Sequence, residues 1–186
     1  ATGATVTIGT SATDVLSIGV VTAGEITADD ANADNIVFWD DSAGKLTYLV
    51  PGDGVAIDGT TIYGQDWFVI AASDETTDLA TGTNKVYFRM PYAATLLAVK
   101  ATVNTAPTGS TLIVDINEDV GSGPVSLLST KLSIDASEKT SVTAAVPAVI
   151  SDSALANDSE ITIDIDQVGS TVTGKGLKVY LKVRRG

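Results

Sequence analysis

The sequence predicts an all-β protein, in which a short, hairpin-rich N-terminal oligomerisation region precedes an antiparallel β-sandwich of the jelly-roll type. Three observations predict this fold. Val, Ile and Thr recur in runs of strand length, several of which alternate with polar residues. Turn residues separate the runs at intervals of about 8–12 residues, as is typical of sandwiches and jelly rolls. Only residues 151–157 have a pattern that would allow a helical turn.

Charge divides the 186 residues into two regions. The chain has 23 acidic and 11 basic residues, for a net charge of −12. Residues 1–66 hold ten of the acids and one base, Lys45, so their net charge is −9, and residues 67–186 carry the remaining −3. We therefore expect an N-terminal stalk or attachment region, 1–66, and a C-terminal sandwich domain, 67–186. The excess negative charge repels phosphates and anionic lipids, so neither nucleic acid nor a membrane is an expected partner.

The first thirty residues contain two strand-like runs, 4–10 and 15–22, with few large side chains. Such strands cannot enclose a core alone, and they gain stability by pairing with other copies or with a partner chain. We therefore expect residues 1–66 to join copies of the chain, most simply as a homotrimer. The alternative is a loosely ordered leader.

Residues 36–63 predict two consecutive hairpins. Strands at 36–39 and 46–50 flank the turn 40–45, where Asp side chains and Gly44 favour a chain reversal. After a further turn at 51–54, residues 55–63 predict a short hairpin around Asp58 and Gly59.

Residues 67–186 predict about eight strands, as a sandwich requires. The runs lie at 67–72, 85–90, 94–103, 111–117, 125–134, 159–166 and 177–183, with one or two strands in 125–134. Residues 159–166 and 177–183 alternate cleanly, which indicates strands with one buried face. Residues 112–117 and 161–166 both end in acidic positions before a Gly-containing loop, and we expect them to be equivalent strands of facing sheets.

Two stretches carry a resemblance to a known class of proteins. Residues 34–46 (DNIVFWDDSAGKL) and 51–62 (PGDGVAIDGTTI) together resemble a small β-module of tail fibres and other structural proteins of tailed bacteriophages. The sequence of residues 87–182 is similar to that of C-terminal domains of phage structural proteins.

The resemblance implies a virion structural protein, a trimeric fibre component that displays its β-sandwich for host-surface attachment. The implied partners are its own copies, other tail or capsid proteins and a host-surface glycan, and the implied location is the virion. One alternative is a capsid decoration or cement protein. Another, from a different class, is a secreted bacterial adhesin or carbohydrate-binding module.

Composition argues against catalysis. The chain has no Cys and no His, which excludes thiol nucleophiles, imidazole bases and thiolate or imidazole metal sites. Residues 137–139 (Ser-Glu-Lys) are interpreted as a turn rather than a Ser–Lys pair. Residues 174–176 (Gly-Lys-Gly) lack the spacing of a phosphate-binding loop. We expect no enzyme, no catalytic residue and no cofactor.

Three groups of acidic residues are candidate sites. Asp30, Asn32 and Asp34, with Asp41 in the twelfth place, have the oxygen spacing of a Ca²⁺ loop, but Asn35 replaces the central Gly. We interpret them as a solvated turn, with Ca²⁺ the alternative. The other groups lie on predicted strands: Asp115, Asn117 and Asp119, and the pair Asp164 and Asp166. Both are interpreted as alternating outer positions, although the separation of the pair would suit an inverting glycosidase. We therefore predict no metal site.

The remaining candidates are basic and aromatic. Lys178, Lys182, Arg184 and Arg185 make a basic C-terminus, and because Lys178 and Lys182 alternate with apolar residues, we expect these two on the outer face of the last strand. A second hypothesis places these bases against the acidic residues 1–66 of a neighbouring subunit. Trp39 and Trp67 are interpreted as plugs of a small core, with glycan contact as the alternative. The residues of a binding site are otherwise not defined by the sequence.

Overall fold

The structure is a computed structural model that describes residues 36–40, 42, 45–49, 52, 54–58 and 61–185. The runs predicted at 4–10 and 15–22, and all the proposed oxygen ligands of the Asp30–Asp41 loop, lie outside these residues. The side chain of Trp39 lies outside them as well. Those expectations therefore stay predictions.

Fourteen strands make up the described part of the chain. They are β1 (Ile36–Asp40), β2 (Lys45–Leu49), β3 (Val55–Asp58), β4 (Thr61–Ala71), β5 (Gly82–Arg89), β6 (Ala94–Thr102), β7 (Leu112–Asp119), β8 (Val125–Ser126), β9 (Leu128–Thr130), β10 (Leu132–Ile134), β11 (Val149–Ile150), β12 (Ala154–Leu155), β13 (Glu160–Gln167) and β14 (Lys178–Arg185).

Residues 151–157, where the sequence would allow a helical turn, form none. That segment contains β12, which pairs with the start of β6. Asp152 accepts a hydrogen bond from the backbone N–H of Ala154 at 3.1 Å, which holds the chain in a turn before the strand. Among the described residues, the helical element is one 3₁₀ turn, Ser141–Thr143.

Two antiparallel sheets form the sandwich. Sheet A has the order β10-β7-β13-β5, with β8 also paired to β7, and sheet B has the order β12-β6-β14-β4-β3. Leaving aside β3 and β8, the first of the eight remaining strands pairs with the last, the second with the seventh, the third with the sixth and the fourth with the fifth. This nesting is the connectivity of a jelly roll, and it confirms the predicted fold class.

The core lies between the two sheets. In β13 the buried hydrophobic residues are Ile161, Ile163 and Ile165, and in β14 Val179, Leu181 and Val183 are likewise buried. The alternation seen in the sequence therefore identifies the inward faces of both strands correctly. Phe68 and Ile70 of β4 pack against this core from sheet B.

The nesting of the jelly roll corrects one expectation. Residues 112–117 and 161–166 lie in β7 and β13, which are neighbours in sheet A rather than equivalent strands of facing sheets. Both strands place aliphatic residues in the core and polar residues on the outer side of sheet A, which explains their similar patterns.

The two predicted hairpins are present. β1 pairs with β2, with Asp40 opposite Lys45, and β3 pairs with β4, with Asp58 opposite Thr61. Because β4 runs without interruption to Ala71, the boundary predicted between residues 66 and 67 falls inside a strand of sheet B. The described residues all belong to one unit, Asp34–Gly186.

Three loops interlock at one end of the sandwich. They are residues 72–81, 103–111 and 168–177. The backbone N–H of Leu79 donates to the carbonyl of Gly174 at 2.9 Å, and Thr108 N–H donates to Val172 O at 2.9 Å. Gly169 is required there, since a Cβ at this position would lie 1.9 Å from Val172 O. The start of β4 and the end of β14 lie side by side, with Gln65 opposite Arg184.

Candidate functional site

The outer surface of sheet B carries aromatic and basic side chains in alternating positions. In β14, every second residue points away from the core, which places Lys178, Tyr180, Lys182 and Arg184 outward. The predicted outward position of Lys178 and Lys182 is therefore confirmed. Arg185, the last residue of β14, contacts Asp66 of β4, with 2.8 Å between Nε and Oδ2.

Strand register assembles the side chains of this surface. Tyr180 lies opposite Lys100 of β6, and Lys182 lies opposite Trp67 of β4. We call this surface the basic–aromatic face and define it as Tyr63, Trp67, Lys100, Tyr180, Lys182 and Arg184.

Cation–π contacts order the basic–aromatic face. The ammonium of Lys100 lies 4.7 Å from the ring centroid of Trp67 and 4.8 Å from that of Tyr180. The guanidinium of Arg184 lies 4.5 Å from the ring centroid of Tyr63. Each such contact at an exposed site contributes about 0.5–1 kcal/mol. The rings and charges are thus held in place before any partner arrives.

The preferred interpretation of Trp67 as a core plug is wrong. Its side chain is 46% exposed, and Val69, two residues on, is 58% exposed. Phe68 and Ile70 take the inward positions instead. The continuous apolar run from residue 67 to 72 carries no alternation, so the sequence did not reveal which residues face inward.

A concavity of about 550 Å³ lies beside Trp67. Its lining residues are Gly54, Gln65, Trp67 and Lys182. The backbone N–H of Gln65 donates to the carbonyl of Gly54 at 2.8 Å, which fixes one wall. Gly54 has a φ of +94°, a conformation that residues with a Cβ rarely adopt. Cavities of this size, with an aromatic ring and a few polar groups, are typical of small-ligand sites.

Two cations of the basic–aromatic face, Lys100 and Lys182, lie in a chain whose net charge is −12. Beside it, Lys178 forms an ion pair with Glu75. Neither Lys100 nor Lys182 has a carboxylate of another described side chain within 4.0 Å among the salt bridges of the structure.

A separate polar cluster lies at the end of β14. Asp66 accepts hydrogen bonds from the Tyr92 hydroxyl at 2.8 Å and from Arg185, whose guanidinium also lies over the Tyr92 ring. The Tyr92 hydrogen bond, and then Arg185, lower the pKa of Asp66, while desolvation and Asp66 raise that of Tyr92. The cluster ties the start of the jelly roll to its last strand.

The acidic candidates lie on the outer surface of sheet A, where other groups already engage them. Asp115 and Asp164 are opposite one another in β7 and β13. The ammonium of Lys131 lies 2.9 Å from Asp115 and 2.5 Å from Asp166. Asp166, followed by Asp115, holds the pKa of Lys131 well above its usual range.

Asp164 and Asp166 do share the outer face, as predicted, but hydrogen bonds occupy the oxygens of Asp164. The backbone N–H of Asn84 donates to it at 2.6 Å and the Asn117 amide donates at 3.1 Å. Asp119 instead closes a turn, accepting from the backbone N–H of Gly121 at 2.6 Å and of Gly123 at 2.9 Å. Among the described residues, no group of three or more acids is placed to hold a metal ion.

The two remaining candidates are turns. Glu138 N–H donates to Asp135 O at 3.0 Å, which places residues 137–139 in a reversal, as interpreted from the sequence. Gly174 and Gly176 both have positive φ, and the ammonium of Lys175 between them lies 3.4 Å from Asp78.

Comparison with protein-family models, curated proteins and solved structures found no match. Across the described segments, no helix is long and apolar enough to cross a bilayer.

Proposed function

We propose that this protein is a virion structural protein, a trimeric fibre component that presents its jelly roll to a host surface. The observation that carries the proposal is the basic–aromatic face, with a half-exposed Trp67 between cations on a rigid sheet. Trp, Tyr and Arg are the residue types that dominate binding energy at protein surfaces. Jelly rolls also serve both as viral structural domains and as lectins.

An exposed sheet surface of this kind suits attachment by many weak contacts. Three or more copies on one fibre raise the effective concentration of each further contact, so that avidity exceeds the affinity of a single face by orders of magnitude. A deep binding cleft is not required. The residues with the largest exposed rings and charges would then make the contact.

Native mass spectrometry of the full chain tests the trimer. We expect a mass of three times the chain mass of 19.0 kDa at micromolar concentration. A monomer that persists at all concentrations contradicts the fibre proposal.

Immunogold electron microscopy tests the position in the particle. The sample is phage particles in which peptide mass spectrometry has detected the chain, labelled with antibodies against it. Label on tail fibres supports the proposal, while label over the capsid supports a decoration protein instead. Detection of the chain only on bacterial surfaces or in culture medium, with no particle containing it, supports an adhesin and overturns the virion assignment.

A further inference from the structure

We infer that a cleft at the end of β7 binds the lysine side chain of a partner protein. The cleft lies at the pole of the sandwich opposite the three interlocked loops, and its volume is about 360 Å³. One of the residues that line it is the buried Glu118. The inference goes beyond the proposed attachment function, because it depends neither on a position in a fibre nor on the number of copies.

Glu118 occupies a core-facing position of β7. In this strand Leu112, Val114 and Ile116 point inward and are buried. Alternation places Glu118 on the same side of the sheet, where it is 8% exposed. Its Oε1 accepts a hydrogen bond from the backbone N–H of Ala156 at 2.8 Å. Removing a carboxylate from water is costly, and a nearby cation offsets that cost.

The other buried carboxylate of β7 has the cation that Glu118 lacks. Asp115 is 4% exposed, and the ammonium of Lys131 lies 2.9 Å from it. Glu118 takes part in none of the salt bridges among the described side chains. The chain thus supplies a lysine to one of these two carboxylates and not to the other. Its net charge of −12 also favours the approach of a cationic group.

The second oxygen of Glu118 is accessible. Within the part of the chain that the structure describes, Glu118 accepts its hydrogen bond at Oε1, and no side-chain oxygen is both fully buried and without a hydrogen-bond partner. Oε2 is therefore not fully buried. Because Glu118 lines the cleft, the cleft is the opening through which a donor can reach Oε2.

The walls of the cleft suit the aliphatic stem of a lysine. Leu127 and Leu155 line it and are buried, whereas Val120 and Val125 line it and are highly exposed. A lysine side chain can lay its methylene groups along such apolar walls while its ammonium contacts a polar group. Exposed apolar residues that surround a site are typical of surfaces that contact another protein. The partner is therefore a protein that presents a lysine.

The position of the carboxylate favours an ammonium over a guanidinium. Arginine binds a carboxylate best through two parallel hydrogen bonds, one to each oxygen, and the Ala156 N–H already occupies Oε1. An ammonium has three donors and needs one free oxygen. Ser122 and Asp152 line the same cleft and offer acceptors for its other donors. Asp152 is held in place by the backbone N–H of Ala154, which donates to its Oδ1 at 3.1 Å.

NMR titration of the full-length protein with a lysine probe tests the inference. The probe is Nα-acetyl-lysine N-methylamide, and labelled methyl groups of Val and Leu report its binding. We expect shifts at Val125, Leu127 and Leu155, with a dissociation constant on the order of 1 mM for a ligand of this size. The norleucine analogue has the same stem without the ammonium. It and the arginine analogue should each bind at least about tenfold more weakly.

Three results of this titration would overturn the inference. The first is the absence of shifts at the cleft with the lysine probe. The second is equal binding of the norleucine or the arginine analogue. The third comes from n-pentylamine, which has an ammonium on an alkyl stem but no peptide groups. Tighter binding of n-pentylamine than of the lysine probe would assign the cleft to free amines rather than to a protein.

A matched pair of variants locates the site. Glu118→Gln keeps an oxygen for the Ala156 N–H but removes the charge, and it should weaken probe binding at least about tenfold. Glu138→Gln removes the same charge at the other pole, where Ser137 N–H donates to Pro107 O at 2.7 Å, and it should bind the probe as the parent does. Unchanged melting temperatures show that both variants are folded. Binding that survives Glu118→Gln, or that Glu138→Gln weakens equally, contradicts the inference.

Val125→Lys tests the site without altering the buried carboxylate. Val125 lies directly opposite Glu118 across β7 and β8 and is 63% exposed, so a lysine there can enter the cleft. We expect this lysine to compete with the probe and to weaken its binding at least about tenfold. Undiminished binding to the variant overturns the inference. If Glu118→Gln instead changes the native mass of the protein, a lysine of another copy fills the cleft, and the assignment to a separate partner is wrong.

Discussion

The two outer surfaces of the sandwich use charge in opposite ways. On sheet A, Asp115, Asp164 and Asp166 are each engaged by a lysine, a backbone N–H or an amide of the same chain. On sheet B, Lys100 is engaged by aromatic rings rather than by carboxylates. On sheet A the charged side chains stabilise the fold through contacts within the chain, whereas sheet B leaves charged and aromatic side chains accessible to a partner. Residues of similar type therefore differ in role because of what the neighbouring strand places opposite them.

Both surfaces lie over one shared core, so truncation of a core side chain should have the largest effect on stability. Leu181 lies beneath the basic–aromatic face and Ile163 beneath the acidic surface, both fully buried. We expect Leu181→Ala and Ile163→Ala each to lower the free energy of unfolding by about 2–5 kcal/mol, because each leaves a cavity. Urea denaturation, followed by tryptophan fluorescence and circular dichroism, measures this free energy of unfolding.

Val69→Ala is the matched control for core truncation. It lies on β4, is 58% exposed, and should change stability by no more than about 0.5 kcal/mol. Two separate unfolding transitions, one affected by each core variant, would show that the sheets do not share a core and would break the comparison.

Removal of a lysine should sharpen the contrast between the surfaces. Lys131→Ala leaves the buried Asp115 without its ammonium partner, and we expect a loss of about 1–3 kcal/mol. Lys100→Ala removes only exposed ring contacts, and we expect a loss of about 1 kcal/mol or less. Urea midpoints of both variants give the comparison. Equal losses of stability in Lys131→Ala and Lys100→Ala would contradict the distinction between the surfaces.

The smallest effect concerns pH, and it arises outside both surfaces. The pKa values of Asp66, Asp74 and Asp119 are all held below the usual 3.8, by hydrogen bonds led by Tyr92, Thr77 N–H and Gly121 N–H respectively. These groups stabilise the fold above pH 3.8, and the contribution is lost as the pH falls through their folded values. We expect the urea midpoint to stay level from pH 7 to about 5 and to decline below about 4.

Asp74→Asn tests the origin of that decline. The amide oxygen can still accept from the backbone of Thr76 and Thr77 but cannot titrate, so the variant should lose less stability than the parent between pH 5 and 3. A steeper decline in the variant would show that Asp74 is not one of the groups responsible.

The sequence predicted the fold because alternation in β13 and β14 identifies buried faces, and because turns interrupt the strands at regular intervals. It did not predict the strand order, since pairing of β7 with β13 joins residues far apart in the chain. The short strand β12 was missed because two residues carry no periodicity. Its hydrogen bonds to β6 come from tertiary structure alone.

The candidate site was predicted only in part. The outward position of Lys178 and Lys182 followed from local alternation, but the position of Trp67 did not, because its neighbours are all apolar. No local sequence pattern predicts the contacts of Lys100 with Trp67 and Tyr180, because the three residues lie on separate strands. Only the strand order of the jelly roll brings these strands together. Binding surfaces on sheets arise from register, which the sequence of one strand does not contain.

The nested strand order also determines where added polypeptide would emerge. Gln65 at the start of the roll lies opposite Arg184 near its end, while residues 72–81, 103–111 and 168–177 meet at the other pole. A cargo domain fused after Arg185 would therefore project beside the incoming chain. A peptide grafted into residues 72–81 would be carried at the far pole, which makes this fold a scaffold with two separately addressable ends.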